Sequence, residues 1–404
     1  MSHTETLTIE RLGHRGEGIA TFDGKSVFVG LTLEGETVIA EIEGNRGRLI
    51  EIIDPSPERR PAPCPHFGSC GGCQLQHLGL ETYGRFKRSL VVDALSRANV
   101  NANIADLVFA HGAGRRRATL HATRAAAGFM ALRSHHIHDL DTCPILVPAL
   151  APAPEITRSV AAVAGPCDVG FTASDLGLDV AVRAKGARPT ARLTEIARQF
   201  DLARLSLNGE PLILQRLPVV TMGPSSVPLP VSSFLQATAE AEEVLASLVL
   251  NAIRGARHVA DLFCGMGPFA LRIALKVPVF AADSDAPAIG ALEAARRNTK
   301  GLKPIAAERR DLFREPLELF ELNRFDAVVL DPPRAGAQAQ VRTLAKSKVK
   351  TVIYVSCDPQ SFARDAAILI AGGYRIGTVS PVDQFAYSSH VEIFAVFYRN
   401  EQRA

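Results

Sequence analysis

From residue 234 onward, short apolar segments alternate with helical patterns, and this alternation restricts the possible folds more than any other feature. Strands are predicted at 258–263, 277–283, 304–307, 325–331, 349–355, 374–379 and 392–398, and helices at 237–254, 268–276, 286–298 and 361–370. Such alternation predicts a doubly wound α/β sheet, in which ligands bind beyond the carboxyl ends of the parallel strands. We therefore expect a Rossmann-like sheet here, with functional side chains at its strand ends.

One predicted strand ends at a cysteine. Residues 351–355 have strand character and lead through Ser356 to Cys357, and Asp358 and Pro359 then precede a helical pattern. Asp followed by Pro predicts a helix N-cap and a first helical position. Cys357 would therefore face a helix N-terminus, whose partial positive charge favours the thiolate. The local pattern fits a small buried side chain equally well, because free cysteines also pack as apolar residues.

A glycine-containing turn follows the first predicted strand of this region. Phe263 precedes Gly265 and Gly267, and Asp283 ends the next strand, twenty residues after Phe263. The glycines allow a ligand to approach the backbone, and an acid at this position can accept hydrogen bonds from both ribose hydroxyls. The third glycine of the dinucleotide fingerprint is missing, so an adenosine-type cofactor other than NAD is favoured.

Two more acidic residues, Asp311 and Asp331, follow later strands. The double proline after Asp331 makes a stiff turn that would hold Asp331 and Arg334 at the rim of the sheet. Two alternatives stay open. Asp283 and Asp311 could simply cap the helices that follow them, and the double proline could be a purely structural turn.

Cysteines of the first half are spaced like metal ligands. Cys64 is followed by Cys70 and Cys73, and two glycines separate the last two. These glycines let the backbone curl so that successive thiolates face one centre. Cys143, which precedes a proline, is the best candidate for a fourth ligand, and Cys–Pro also occurs in iron–sulfur sequences. Four cysteines suit zinc as well as iron–sulfur, so the spacing predicts a metal and leaves its identity open.

The N-terminal half does not show the regular alternation of strands and helices. Residues 5–55 contain short, regularly spaced strands that predict a small all-β barrel, and residues 55–65 form a proline-rich linker. Residues 77–105 are predicted to be helical, and residues 115–230 to be rich in strands.

Composition excludes several classes of protein. The hydrophobic fraction of 47% and the charged fraction of 22% are typical of a soluble globular protein, and 404 residues suffice for two or three domains. Seven cysteines without a signal peptide indicate a reducing cytoplasm, and no apolar run is long enough to span a membrane. The net charge is only +3, but arginines cluster at 115–117, 296–297 and 309–310. Such clusters can bind a polyanion, although for any single cluster a solvated helix or strand face is the better interpretation.

Taken together, these motifs resemble the RNA 5-methyluridine (uracil-C5) methyltransferase family. The resemblance rests on residues 261–269, 331–334, 354–359 and 390–393. The four cysteines resemble the iron–sulfur branch of that family, which includes the 23S rRNA uridine-C5 methyltransferases, and residues 5–55 resemble its TRAM barrel. The match covers nearly the whole chain, with several independent motifs in the family's order.

The resemblance implies methylation of C5 of a uridine in RNA, with S-adenosyl-L-methionine as the cofactor. By motif match, Cys357 would be the catalytic nucleophile and Glu392 the base. The implied cofactor-binding residues are Gln236, Phe263, Gly265, Gly267, Asp283, Asp311 and Asp331. The implied ligands of a 4Fe–4S cluster are Cys64, Cys70, Cys73 and Cys143.

The resemblance also implies a multidomain organisation. We expect a TRAM-like, RNA-binding β-barrel over 1–56, an α+β central iron–sulfur domain over 57–76 and 106–233, and a class I methyltransferase domain over 77–105 and 234–404. Barrel and cluster together favour 23S rRNA as the substrate. A tRNA enzyme and a non-catalytic iron–sulfur RNA-binding or assembly factor remain alternatives. We expect a cytoplasmic monomer without membrane contact.

Three positions depart from the family's pattern. Asp358 stands where the family often has Asn, and its carboxylate should raise the pKa of Cys357 against the effect of the helix terminus. Pro268 replaces a small polar residue that often faces the cofactor. Asp283 replaces a frequent Glu, which should preserve the ribose contact with a shorter reach.

Overall fold

The structure is a computed structural model that describes residues 3–400. The predicted domain ranges 1–56 and 234–404 therefore include six residues, 1–2 and 401–404, that lie outside the described residues. Within residues 3–400, no helix is both long and apolar enough to span a membrane. The division into three domains stays a prediction.

Short strands occupy the N-terminal region, as their regular spacing predicted. They are β1 (His3–Thr8), β2 (Arg11–Leu12), β3 (Gly18–Phe22), β4 (Lys25–Val29), β5 (Thr37–Glu43) and β6 (Arg46–Asp54). They form one six-stranded sheet in the order β1–β5–β6–β4–β3–β2. Alternate residues of β5, Val38, Ala40 and Ile42, are buried with Val27 and Val29 in a small core that belongs to this sheet alone.

Helix α1 (Leu80–Arg97) follows the proline-rich segment and is shorter than the predicted range 77–105. Gly79 precedes its first turn, and Asn99 adopts a left-handed φ of 55°, which cannot continue a helix. The buried face of α1, including Tyr83 and Leu90, packs into a core shared with the C-terminal half of the chain. A two-residue strand, β7 (Val108–Phe109), comes next.

The central region combines a seven-stranded sheet, a separate hairpin and two helices. Its elements are β8 (Arg117–Ala122), β9 (Ala127–Met130), β10 (Ile137–Asp139), α2 (Ala153–Ala164), β11 (Cys167–Ser174), β12 (Gly177–Arg183), α3 (Ala191–Gln199), β13 (Arg204–Leu207), β14 (Glu210–Leu214), β15 (Val219–Met222) and β16 (Ser225–Pro228). The sheet order is β10–β9–β8–β11–β12–β13–β14, and β15 pairs with β16. The strand-rich prediction is confirmed, but it missed α2 and α3. Thr190 was the available signal, because its side chain caps α3 by accepting from Leu193 N–H.

The C-terminal half has the alternating architecture that its sequence predicted. Its elements are α4 (Ala239–Ala252), β17 (Val259–Leu262), α5 (Ala270–Ile273), β18 (Val279–Asp283), α6 (Ala286–Asn298), β19 (Ile305–Arg309), α7 (Leu319–Leu322), β20 (Ala327–Leu330), α8 (Gln338–Leu344), β21 (Thr351–Ser356), α9 (Pro359–Ala371), β22 (Tyr374–Ile376), β23 (Ser380–Asp383) and β24 (Glu392–Arg399). Helix α5 is one turn long, whereas residues 268–276 were predicted to be helical. Beyond Ile273 the backbone tightens into turns, because the N–H groups of Leu275 and Lys276 bond to carbonyls three residues back instead of four.

Five parallel strands and a reversed one form the centre of this sheet. The order is β19–β18–β17–β20–β21–β24–β23–β7, and β24 also pairs with β22. Strands β17 to β21 run parallel, and β24 runs antiparallel to β21. One face of the sheet is covered by α1, α8 and α9, and the other by α4, α5 and α6. The reversal places the start of β24 at the carboxyl edge of the parallel strands.

Candidate active site

The reversed strand brings Cys357 and Glu392 to the same edge of the sheet. Cys357 directly follows β21, and the register pairs Ser356 of β21 with Ile393 of β24. Glu392 begins β24 and is only 2% exposed, whereas Cys357 is half-buried and lines a large cavity. The sequence separates these two residues, and the antiparallel pairing makes them neighbours.

The surroundings of Cys357 oppose ionisation. Burial raises the pKa of its thiol to about 12, with further increases from Glu392 and Asp331, and Arg334 acts in the opposite direction. Asp358 also raises this pKa, as expected, but it has the smallest effect of these groups. The carboxylate of Asp358 accepts a hydrogen bond from Ser361 N–H at 2.8 Å, so the predicted N-cap of α9 is confirmed.

Two glutamines connect Glu392 to Asp331. The Nε2 group of Gln384 donates to Glu392 Oε2 at 2.6 Å and to Gln236 Oε1 at 2.7 Å. The Nε2 group of Gln236 in turn donates to Asp331 Oδ2 at 3.1 Å. Sequence reasoning identified Gln236, Asp331 and Glu392 but missed Gln384. Its signal was the polar pair of Asp383 and Gln384 at the end of a buried strand.

The glycine turn lies at the carboxyl end of β17 and has an unusual backbone. Phe263, Gly265 and Gly267 all have positive φ, at 62°, 51° and 87°. Asp283 Oδ2 accepts a hydrogen bond from Gly265 N–H at 2.9 Å and so fixes the turn to the end of β18. The alternative in which Asp283 caps α6 is wrong, because Asp285 occupies the N-cap position.

Asp311 lies beyond the neighbouring strand end, where its Oδ1 accepts a hydrogen bond from Phe313 N–H at 3.1 Å. No helix begins there, since α7 starts at Leu319, so the helix-capping alternative is also wrong for Asp311. The rings of Phe263 and Phe313 lie 5.4 Å apart, and the sequence reasoning missed Phe313. Acids and aromatic rings at adjoining strand ends suit a nucleoside.

Four carboxyl groups, those of Asp261, Asp283, Asp331 and Glu392, lie along these strand ends without a basic partner among residues 3–400. Asp261 is fully buried, and apart from a weak interaction with the N–H of Ala270 its oxygens have no hydrogen-bond partner among residues 3–400. Burial, followed by the nearby Asp331, raises the pKa of Asp261 well above its usual range. Burial likewise raises the pKa of Asp331, assisted by Asp283, and that of Glu392, assisted by Asp331. None of the four forms a salt bridge within the part of the chain that the structure describes. A cationic ligand would relieve this repulsion.

All four predicted metal-ligand cysteines line one small cavity. Cys64, Cys70, Cys73 and Cys143 surround it together with Phe129 and other residues. Burial raises the pKa of Cys73 to about 11 and that of Cys143 to about 12. Over the described range, no three His, Cys, Asp or Glu side chains are arranged so that they could hold a metal ion. The structure brings the four cysteines to one cavity but does not arrange them as a metal site.

A cavity of about 970 Å³ opens in front of Cys357. Its walls come from separate parts of the chain: His14 and Arg15 belong to the turn between β2 and β3, and Arg133 and His135 to the loop between β9 and β10. A cavity of this size with basic and imidazole groups on its walls can admit an extruded nucleotide.

The predicted arginine cluster 115–117 is not a single surface patch. Arg116 is buried and forms an ion pair with Glu242. The guanidinium of Arg117 instead lies 5.7 Å from the ring centre of Phe234, a side chain that is 72% exposed. Phe234 immediately precedes the segment that carries Gln236, and an exposed aromatic ring backed by an arginine is a common platform for an unstacked base.

The strand order with its reversed strand, the glycine turn and the acids at the strand ends define the class of S-adenosylmethionine-dependent methyltransferases. A family model described as tRNA (Uracil-5-)-methyltransferase matches residues 228–400. An RNA methyltransferase of Brucella suis is 44% identical over 99% of both chains. The 23S rRNA (uracil(1939)-C(5))-methyltransferase RlmD of Chromohalobacter salexigens is 34% identical over 98% of this chain and 90% of its own length. The chain therefore belongs to the RNA (uracil-C5) methyltransferase family and is an S-adenosylmethionine-dependent enzyme.

The fold is also similar to a solved structure. The Pyrococcus abyssi tRNA (uracil-54, C5)-methyltransferase, in complex with S-adenosyl-L-homocysteine, has a TM-score of 0.76 and 22% identity. The match covers 97% of this chain and all of that one.

Proposed function

We propose that this enzyme methylates C5 of one uridine in 23S rRNA by covalent addition of Cys357 to C6. The observation that carries the proposal is the meeting of Cys357 and Glu392 at one sheet edge, next to Gln236 and Asp331. The name of the Chromohalobacter relative favours 23S rRNA. The family description and the Pyrococcus structure name tRNA, so a tRNA uridine is the second candidate.

The chemistry needs both residues. C5 of uracil is a poor nucleophile, and addition of the Cys357 thiolate to C6 would create an enolate whose C5 can attack a methyl group. Bound S-adenosylmethionine would supply that methyl group as an electrophile. Glu392 would then remove the proton from C5, and the thiolate would leave C6 as the C5–C6 double bond forms again. A buried carboxylate with a raised pKa suits this proton removal.

The residues at the strand ends fit the cofactor. Asp283 and Asp311 would receive the ribose and adenine polar groups, and the positive φ of Gly265 and Gly267 opens the backbone to a close ligand. Gln236, Phe263 and Asp331 would complete the site on the side that faces Glu392. These carboxyl groups have no positively charged partner among the described residues, which suits a cofactor whose sulfonium and amino groups are positive.

The N-terminal sheet and the central region would hold the RNA. We propose that residues 1–56 form the TRAM-like barrel, because their six strands have a core of their own. The target uridine would leave its stack to reach Cys357 through the large cavity, and Phe234 would stack on a neighbouring base. We retain a cytoplasmic monomer as part of the proposal.

We also propose that Cys64, Cys70, Cys73 and Cys143 hold a 4Fe–4S cluster. Four cysteines lining one cavity support this assignment, and their side chains would have to rearrange to ligate the metal. A zinc ion is the competing occupant. Broad visible absorption after anaerobic purification, lost in Cys143→Ser, would identify iron–sulfur. A colourless protein with one equivalent of zinc would refute the cluster.

Trapping with 5-fluorouridine RNA tests the central proposal. The C5 fluorine cannot be removed as a proton, so the wild type should form a stable covalent adduct that survives denaturing electrophoresis. Cys357→Ala should form none, whereas Cys167→Ala, which alters a buried cysteine of the central sheet, should behave as wild type. An adduct with Cys357→Ala would refute the nucleophile. A Glu392→Gln variant with normal methylation would refute the base.

The two substrates are separated by a direct comparison. Purified enzyme is incubated with 23S rRNA and with total tRNA, both from a strain that lacks the gene, and 5-methyluridine is mapped in each. We expect incorporation into 23S rRNA. Incorporation into tRNA alone would replace the first candidate with the second, and incorporation into neither would refute both substrates.

A further inference from the structure

A buried glutamine outside the predicted site joins the two halves of the active site. We propose that Gln384 is a positioning residue that orients the Glu392 carboxylate towards C5 of the uracil and links it to Gln236 on the cofactor side. This inference rests on the proposed function, in which Glu392 is the base. Gln384 is 1% exposed and all its polar atoms are used, so its position is closely determined.

One backbone group fixes the direction of the whole hydrogen-bond chain. Gln384 Oε1 accepts a hydrogen bond from Ala237 N–H at 2.7 Å, and a backbone N–H can only donate. The amide NH₂ of Gln384 must therefore face Glu392 Oε2 and Gln236 Oε1. Because Gln236 accepts through its oxygen, its own NH₂ group is directed at Asp331. Neither amide can flip without losing hydrogen bonds in a buried site.

The residue before Gln384 anchors it. Asp383 ends β23, is fully buried, and accepts hydrogen bonds from Lys87 Nζ at 2.8 Å and His111 Nε2 at 2.7 Å. Tyr83 also donates to this carboxylate. The glutamine thus starts from a rigid strand end, and the approach of its amide to Glu392 does not depend on a mobile loop.

The donor from Gln384 has a chemical consequence. It favours the ionised form of Glu392, which is the form that accepts a proton, and leaves Oε1 available for that proton. Asp331 disfavours the ionised forms of both Glu392 and Cys357. The negative charge of Glu392 also disfavours the Cys357 thiolate, whereas Arg334 favours it. Without Gln384, Glu392 would keep its burial and its acidic neighbour but lose the hydrogen bond that offsets them.

Replacement of Gln384 by methionine tests the proposal, because methionine has a similar length and no hydrogen-bonding amide. Proton removal should slow by about tenfold to a hundredfold, the effect of one hydrogen bond to a charged group. With ordinary uridine RNA, the methylated covalent intermediate should then accumulate. The acidic limb of the pH–rate profile should move up by about one to two pH units, since loss of the donor raises the pKa of the base. Adduct formation with 5-fluorouridine RNA, which needs no proton removal, should stay near wild type.

Gln340→Met is the matched control. Gln340 is equally buried, and its side-chain hydrogen bonds go to the backbone of Leu317 and to no residue of the candidate active site. It should lose stability without a shift in the pH profile and without accumulated intermediate. If Gln384→Met behaves like Gln340→Met, Gln384 is only structural and the proposal is overturned.

The failure of the proposed function would look different. Glu392→Gln is measured in parallel, and its normal turnover would refute the base itself. If Glu392→Gln accumulates the intermediate and Gln384→Met does not, the positioning role alone fails. If Gln384→Met does not fold, Gln384→Asn decides, because its shorter amide cannot reach both partners and should give the same defect in milder form.

Discussion

Lys87→Met should destabilise the C-terminal half of the chain, although Lys87 belongs to α1 and its partner Asp383 is 296 residues away. Lys87 is completely buried. Its Nζ atom lies 2.8 Å from Asp383 Oδ1 and 3.1 Å from the carbonyl of Phe385, and it also donates to the carbonyl of His390. One ammonium group therefore fixes both ends of the loop that leads from β23 to Glu392.

The magnitude follows from what the substitution leaves behind. Burial lowers the pKa of Lys87, whereas for Asp383 the bonds from His111, Lys87 and Tyr83 outweigh burial and lower the pKa to about 2. The pKa shift of Lys87 opposes its charged form, whereas the pKa shift of Asp383 favours its charged form. The Lys87–Asp383 ion pair therefore need not contribute much to the free energy of folding. Removal of Lys87 is different, because the buried Asp383 carboxylate keeps its other hydrogen-bond donors but loses its buried positive partner, at a cost of about 3–5 kcal/mol. At about 1 °C per kcal/mol for a chain of 404 residues, the melting temperature should fall by about 3–5 °C.

Thermal unfolding followed by circular dichroism is the appropriate assay, since the chain has no tryptophan. Arg85→Met is the control, because Arg85 lies in the same helix and its ion pair with Glu81 is exposed, with 58% and 82% of the side chains accessible. Such pairs contribute about 0.3–0.5 kcal/mol. Equal melting temperatures for the two variants would refute the reasoning, and a double variant with Asp383→Asn should recover part of the loss.

Three further predictions concern pH, the glycine turn and the thiol. Because the pKa of Asp383 lies below its unfolded value of 3.8, its contribution to stability is present above that pH and lost as the pH falls towards about 2; the melting temperature of Asp383→Asn should vary less across this range than that of wild type. Gly267→Ala should weaken S-adenosylmethionine binding by about tenfold in calorimetry, since its Cβ would lie 2.4 Å from Leu292 Cδ1. Gly301→Ala, which has a similar φ of 83° but meets no described atom within 4 Å, should leave the affinity unchanged. Alkylation of Cys357 by iodoacetamide should be faster with S-adenosylmethionine than with S-adenosylhomocysteine, because only the former carries a positive sulfur; equal rates would contradict this.

The parts of the fold that could be predicted are those that depend on residues close together in the sequence. Strands β5 and β18 were predicted from their apolar residues, and the start of helix α9 was predicted from Asp358 and Pro359. The glycine turn is also local, since positive φ at Gly265 depends on a few adjacent residues. Helix α1 was predicted too long because the stop at Asn99 depends on a left-handed conformation that Asn adopts only in some contexts.

The parts that could not be predicted depend on register and on distant packing. Gln384 becomes part of the site only because β23 pairs with β24, which places Val382 opposite Glu392. Lys87 would be assigned to a solvated helix face from sequence, and only the packing of α1 against the C-terminal half buries it. Phe313 lies on a loop whose course depends on the neighbouring strands. No period or spacing in a single sequence encodes these contacts.

The pKa of Cys357, and with it the reactivity of the thiol, depends on charged residues that are far apart in the sequence. Asp358 opposes the thiolate, as expected, but its effect is small. Its carboxylate accepts a hydrogen bond at the N-terminus of α9, where a negative charge is favourable. Burial and the two acids across the site, Glu392 and Asp331, have larger effects. A thiol in this position can ionise readily only when those acids are protonated or face a positive charge. Since the same acids line the side where a cationic cofactor would bind, attack on the uracil should follow cofactor loading, and an Asn at position 358 would change this order little.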